Sequence, residues 1–314
     1  MSNQVLTVSN DILIKMKNHY EKVLVNTPPN GAVFAAKTSG CTITGYKSGK
    51  VLFQGKNADT EASKWNSGIS STNTSSNKKP NPFKKTKSAA TPLPEGFEFL
   101  SVIGSDEVGT GDYFGPITVC AAYVRKEDMD ILKQAGVKDS KALTDEKICA
   151  IAQEILPFVP YSLLVLHNEK YNTMQKTMTQ GKMKAILHNK AIENVLSKIA
   201  PYTPDAILID QFAEADVYYR HLSKQPSVVK EKVYFQTKAE GLHLSVAAAS
   251  IIARYAFLKE MDKISSLAGF TIPKGAGPIV DKAAARFIKT HGMQKLGEVT
   301  KLHFANTEKA KKLL

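Results

Sequence analysis

At 314 residues, the chain is long enough for one large domain or two unequal ones, with enough apolar content for real cores. A formal charge of +13 and an isoelectric point near 9.4 point to a polyanionic partner, most simply nucleic acid. The scattered cysteines Cys41, Cys120 and Cys149 form no C-x-x-C pair, which excludes a disulfide framework or a zinc–cysteine site and suits reduced cytosolic thiols.

The first 66 residues predict a small β-α-β-β-β-α module. Val5 to Val8 reads as a strand, and Ser9-Asn10-Asp11 supplies capping chemistry for a helix with Ile12, Leu13, Met16, Tyr20 and Val23 at helical spacing. Strands follow at 32–37, 42–46 and 51–54, the last two joined by a hairpin-like Lys47-Ser48-Gly49-Lys50 turn, and a short helix from Asp59 to Trp65 closes the unit. One sheet face would be covered by helices and the other left free. Lys37, Lys47, Lys50 and Lys56 lie near Phe34, Tyr46 and Phe53, which suits phosphate contact with base or sugar packing. The alternative is that the aromatics are core and the lysines ordinary solvated positions.

Residues 67–94 read as a basic linker. A Ser/Thr/Asn-rich stretch with little to bury is followed by the lysine- and proline-rich 78–87. From 95 to 314 the pattern turns to α/β, with strands expected at 97–105, 117–124, 161–167, 206–210 and 232–237. Helices are expected at 144–156, 182–199, 214–222, 243–267 and 278–290, giving a mixed sheet flanked by helices. The N-terminus lacks a basic start followed by an apolar stretch, and the apolar run Val246 to Leu258 is short and broken by Arg254. The expectation is a soluble cytoplasmic protein.

The chemistry concentrates at Gly104-Ser105-Asp106-Glu107-Val108-Gly109-Thr110-Gly111, where two adjacent acids stand at the end of an apolar strand and glycines follow. Ionised carboxylates there need a cationic partner, and a hard divalent cation takes oxygen ligands. The glycines let a polyanion approach the backbone. The spacing mimics a phosphate-binding P-loop, but Thr110 stands where that loop needs lysine, and two acids would face the phosphates. The strand-then-acid pattern recurs at Asp210, after Ala206-Ile207-Leu208-Ile209, and at Glu240, after 233–237. Strand ends in α/β sheets gather ligands, so Asp106, Glu107, Asp210 and Glu240 would form one repulsive cluster, stabilised by two divalent ions about 4 Å apart around a scissile phosphate. Asp210 as a turn residue and Glu240 as a helix cap are the competing readings. Asp112, Asp139, Glu214, Asp216 and Asp262 are possible substitutes, and His243 reads as a helix-start or core residue.

Residues 95–314 resemble the type 2 ribonuclease H family, most closely its HIII branch. The motifs are Gly104 to Pro116, Lys138-Asp139-Ser140-Lys141-Ala142-Leu143, Ile209-Asp210-Gln211-Phe212, Thr237-Lys238-Ala239-Glu240 and Val246 to Arg254. The N-terminal module is similar to the TATA-box-binding-protein-like domain of that branch. The resemblance implies a ribonuclease H-like fold and Mg²⁺- or Mn²⁺-dependent cleavage of the RNA strand of RNA–DNA hybrids by a monomer, leaving 5′-phosphate and 3′-hydroxyl ends. It implies metal ligands at Asp106, Glu107, Asp210 and Glu240, a minor-groove loop at Gly109, Thr110 and Gly111, and a phosphate contact at Lys141. The family often has Asp at the Glu240 position. Ribonuclease HII commonly carries a basic residue where Thr110 stands, so Thr110 favours the HIII branch and counts against HII-like cutting at an embedded ribonucleotide; that cutting and a non-catalytic hybrid binder are the alternative readings.

Overall fold

Ser9 accepts a hydrogen bond from the Ile12 amide and so starts helix α1 (Asn10–His19) just after strand β1 (Ser2–Thr7). The computed structural model describes residues 2–29, 31–66, 92–138, 140 and 143–314, and the chain divides into two units, Met1–Lys84 and Lys85–Leu314. The expected linker lies mostly outside the described residues. Leu93, at its end, packs partly buried against the Phe97 and Val102 cluster of the second unit.

In the first unit, β2 (Ala32–Thr38), β3 (Cys41–Tyr46) and β4 (Lys50–Gly55) join β1 in an antiparallel sheet of order β1-β4-β3-β2. Helix α2 (Ala58–Asn66) follows. Leu13 and Met16 of α1, Tyr20 just after it, and Ala58 and Ala62 of α2 bury one sheet face, together with Phe34, Ile43, Val51 and Phe53. Trp65, the chain's single tryptophan, packs partly buried on this core, and its indole N–H donates to the Tyr20 hydroxyl at 3.0 Å. Register puts Lys37, Thr42 and Gln54, and Thr44, Leu52 and Val5, on the opposite face.

The second unit holds a five-stranded mixed sheet of order β7-β6-β5-β8-β9. These strands are β5 (Val102–Val108), β6 (Ile117–Val124), β7 (Tyr161–Leu166), β8 (Ala206–Asp210) and β9 (Val233–Gln236). β5 pairs antiparallel with β6 and parallel with β8, and β8 parallel with β9. β5 starts at 102 rather than 97, because Gly96 turns the chain with a left-handed φ and Phe97–Phe99 form a 3-10 turn. β5 also runs on to Val108, so the acids expected at or just past its end stand in its last residues.

Helices cover both sheet faces. On one side α3 (Met129–Gln134), α4 (Asp145–Ile155) and α8 (Leu244–Ala268) bury Cys120, Ala122 and Val124. On the other, α5 (Asn168–Gln175), α6 (Gln180–Ile199) and α7 (Ala215–His221) pack on Ile103, Val119, Ile207 and Ile209. α8 lies so close to β5 that a Cβ at Gly104 would stand 2.2 Å from the Val246 nitrogen, a contact only glycine permits. Helices α9 (Pro278–Val299), kinked at Gly292, and α10 (Ala305–Lys311) build a third cluster around Tyr113, Phe114 and Phe287. Cys41 and Cys120 are buried free thiols, while Cys149 is half-buried.

Candidate active site

Two parallel strands, β5 and β8, deliver three of the four acids to one end of the sheet. Ser105 pairs with Ile209 in the β5–β8 register, so Asp106 and Asp210 follow side by side, and Asp210 pairs with Gln236 at the end of β9. Glu240 sits in a 3-10 turn, three residues before His243, which caps α8 by accepting the Ser245 amide. Asp106 is 7% exposed on the α8 side of the sheet. Burial, then the charges of Glu107 and Asp210, push its carboxyl up to about 8, against a hydrogen bond from Ser250.

Glu107 points to the other face, because successive strand residues alternate. There Lys184 Nζ lies 2.6 Å from its Oε1, and His188 Nε2 2.9 Å from its Oε2. Burial would raise the Glu107 carboxyl, but the His188 hydrogen bond and the charges of His188 and Lys184 outweigh it and hold it below the usual carboxylate range. His188 Nδ1 reaches Ser105 Oγ at 2.7 Å, Phe212 stacks on its imidazole, and the Lys184 ammonium lies over the same Phe212 ring. Glu240 is 5% exposed and accepts from Ser140 Oγ at 3.0 Å and Ser250 Oγ at 3.5 Å. Arg254 anchors this corner, donating to the Ser140 carbonyl and to Asp145, which also pairs with Lys274. Asp210 accepts the Ala239 amide at 2.9 Å.

Sequence reasoning assigned no role to Lys184, His188, Ser140, Ser250 or Arg254. The spacing of Lys184 and His188, four apart on a helix, was the available signal. Among the described residues no three His, Cys, Asp or Glu side chains are grouped as a metal-ligand set in this arrangement of side chains. Alternation sends Glu107 to Lys184 and His188, while the serine hydroxyls hold Glu240. The donor chemistry nevertheless fits a hard divalent cation. The donors are all carboxylate oxygens, and a buried carboxyl as unfavourably charged as Asp106 gains most from one.

Beyond β5 the chain doubles back. Gly109 has φ +91°, and a Cβ there would lie 2.2 Å from the Pro116 carbonyl oxygen. The Thr110 carbonyl accepts from Gln180 Nε2, and Asp112 Oδ1 accepts the Gly275 amide. Gly111 is exposed, and a Cβ there would meet nothing within 4 Å. Among the other acids weighed, Glu214 and Asp216 are exposed at the start of α7 and Asp262 is exposed on α8, whereas Asp139 and Lys141 lie outside the described residues.

In the first unit Phe34 and Phe53 take the alternative reading and belong to the core. Phe34 and Phe53 are 2% and 0% exposed on the helix-covered face, because each alternates with the residues of the open face. Tyr46, Lys47 and Lys50 line a shallow hollow of about 350 Å³ with Val5, Gly31, Ser48 and Leu52. Lys37, Thr42 and Gln54 line another of about 480 Å³. Lys56 is exposed in the turn after β4.

Comparison with known proteins agrees with this architecture. The family model described as Ribonuclease HII matches residues 103–307, and one described as a domain of unknown function, DUF3378, matches residues 3–79. Ribonuclease HIII of Bacillus licheniformis is 58% identical over 100% of this chain and 99% of its own length. That of Bacillus subtilis (strain 168) is 55% identical over 100% and 98%. A crystal structure of Bst-RNase HIII in complex with Mn²⁺ superposes with a TM-score of 0.69 at 48% identity, covering 99% of both chains.

Proposed function

Because the chain belongs to the ribonuclease HIII family, metal-dependent endoribonucleases acting on RNA–DNA hybrids, we propose that Asp106, Glu107, Asp210 and Glu240 are the residues that would hold its Mg²⁺ or Mn²⁺. The observation that carries this reading is the placement of Asp106 and Asp210 on neighbouring strands, each one residue beyond the Ser105–Ile209 pair, with Asp106 buried and its carboxyl pushed up to about 8. When bound, such ions lower the pKa of a water and stabilise the leaving 3′-oxygen. The chain's own side chains do the positioning. Lys184 and His188 hold the Glu107 carboxylate against its strand, and Ser140 and Ser250 steer Glu240 toward Asp106. Glu107 and Glu240 would give up part of these hydrogen bonds to coordinate, which their flexible side chains permit.

The Gly109-Thr110-Gly111 loop is read as the surface that follows the minor groove of the hybrid, where 2′-hydroxyls mark the RNA strand. Its support is the open space at Gly111 beside a Thr110 carbonyl anchored from behind. Lys141 is read as a phosphate contact on the family resemblance. The open face of the small sheet, with Lys37, Lys47, Lys50 and Tyr46 around its two hollows, is read as an accessory platform for phosphates and sugars. The reading includes a monomer working in the cytoplasm; no described helix is long and apolar enough to cross a membrane.

The test is cleavage of a labelled continuous hybrid, with Mg²⁺ and with Mn²⁺ in turn, by the natural chain and by Asp210→Asn. Loss of about 10²-fold or more in rate is expected from removing one charged ligand. Near-normal cleavage by Asp210→Asn would show that the site is misplaced.

A further inference from the structure

Lys301 is fully buried, and among the described residues its ammonium has no ion-pair partner. It donates instead to three backbone carbonyls of one turn, those of Asp112 at 2.8 Å, Gly115 at 2.5 Å and Pro116 at 3.4 Å. A lysine in such a place is costly. Burial draws its pKa down to about 7, and a hydrocarbon side chain of similar length would be cheaper to bury. The turn explains the cost. Because Gly109 folds back against Pro116, the carbonyls of Asp112, Gly115 and Pro116 face inward, where each needs a donor. One ammonium offers three N–H groups from a single atom. Asn168 Nδ2 adds a second donor to the Gly115 carbonyl.

The surrounding backbone ties the same turn to the C-terminal segment. The Lys301 amide donates to the Tyr113 carbonyl, Phe114 bridges to Thr300, and the Gly115 amide donates to the Val299 carbonyl. The inner wall of the turn is thus held from 299–301, while Thr110 and Gly111 keep their open side outward.

We infer that Lys301 is a positioning residue for hybrid recognition, fixing the inner carbonyls of the 112–116 turn so that Thr110 and Gly111 present a preformed surface to the RNA strand. The inference rests on the reading of 109–111 as the hybrid-facing loop. Lys301→Met in the full chain keeps roughly the length of the side chain, removes the ammonium donor from the Asp112 and Pro116 carbonyls and leaves the Gly115 carbonyl to Asn168 alone. Steady-state cleavage of a hybrid with Mn²⁺ should show KM raised about tenfold, because a loosened turn must be reordered when the hybrid binds. The kcat should stay within about twofold, because substrate binding rather than transition-state stabilisation is weakened. Mn²⁺ affinity, measured by calorimetry, should be unchanged. A purely structural lysine would lower the folded fraction, reducing apparent kcat at constant KM, and that result overturns the inference. Should Lys301→Met fail to fold, Asn168→Ala removes the other donor to the Gly115 carbonyl and should raise KM about threefold at constant kcat. An unchanged KM there also overturns it. A natural chain that cleaves no hybrid with either metal would overturn the functional reading itself, and with it this inference.

Discussion

Asp106 and Glu107 are consecutive in β5 yet are served by opposite layers, one by Ser250 of α8 and the other by Lys184 and His188 of α6. The two carboxylates therefore differ in what holds their charge. Glu107 has cations beside it; Asp106 has burial and two acidic neighbours. Asp106→Asn should abolish cleavage, by about 10²-fold or more, and at the same time stabilise the protein in chelator. The sign follows from the raised carboxyl. The folded state holds a proton up to about pH 8, the unfolded chain only to about 4, so metal-free stability falls across that window as pH rises. Melting of both proteins in chelator near neutral pH checks it, and a less stable asparagine variant would contradict the argument. Gly111→Ala makes the complementary case. The new methyl meets none of the described residues within 4 Å, so melting should be unchanged, while KM for the hybrid should rise if the position faces the RNA strand. Equal KM values would remove Gly111 from the interface.

Helix α8 runs from the site corner through the core, and its cap carries a pH dependence of its own. His243 Nδ1 accepts the Ser245 amide, its Nε2 faces the Leu100 carbonyl, and burial pulls its pKa down to about 4. Protonation would cost the cap its acceptor. Between pH 4 and about 6.5 the unfolded chain binds this proton and the folded one does not. The contribution is therefore fully present above 6.5 and is lost as pH falls toward 4, amounting to about 3 kcal/mol. His243→Asn retains an oxygen for capping without titrating. It should flatten the acid limb of the stability curve, and a denaturant series over that pH range would show an unchanged slope if the idea is wrong. The elements themselves were unevenly legible. Strands 117–124 and 206–210 stand where their apolar runs end, and His243 begins its helix as read. β5 moved five residues because a left-handed Gly96 outweighed the alternation of 97–101. The short helices α3, α5 and α10 carried too little periodicity to be seen. Of the candidate site, the acids were legible because each stands in or shortly after the last residues of an apolar strand. Their partners were not: Lys184 and His188 meet Glu107 only through the packing of α6 on the sheet, and Lys301 meets its carbonyls from 185 to 189 residues away.

The two units divide the work in the proposed reading, and deletion separates their contributions. Residues 95–314 keep all four acids and should still turn over, with raised KM, because uniform binding energy has been removed. The slope of log affinity against log salt should become shallower by about 0.7–0.9 for each phosphate that the small sheet no longer neutralises. Equal affinity and equal slope for the full chain and the fragment would leave Lys37, Lys47, Lys50 and Tyr46 without a role in binding. The single tryptophan adds a practical corollary. Trp65 lies against Tyr20 inside the first unit, so the larger unit has no indole of its own. Emission from that ring reports melting of the small unit alone, whereas loss of turnover reports the large one. A fluorescence-derived transition midpoint and the temperature at which activity disappears are therefore two separate quantities in this protein, and a gap between them measures how independently its parts unfold.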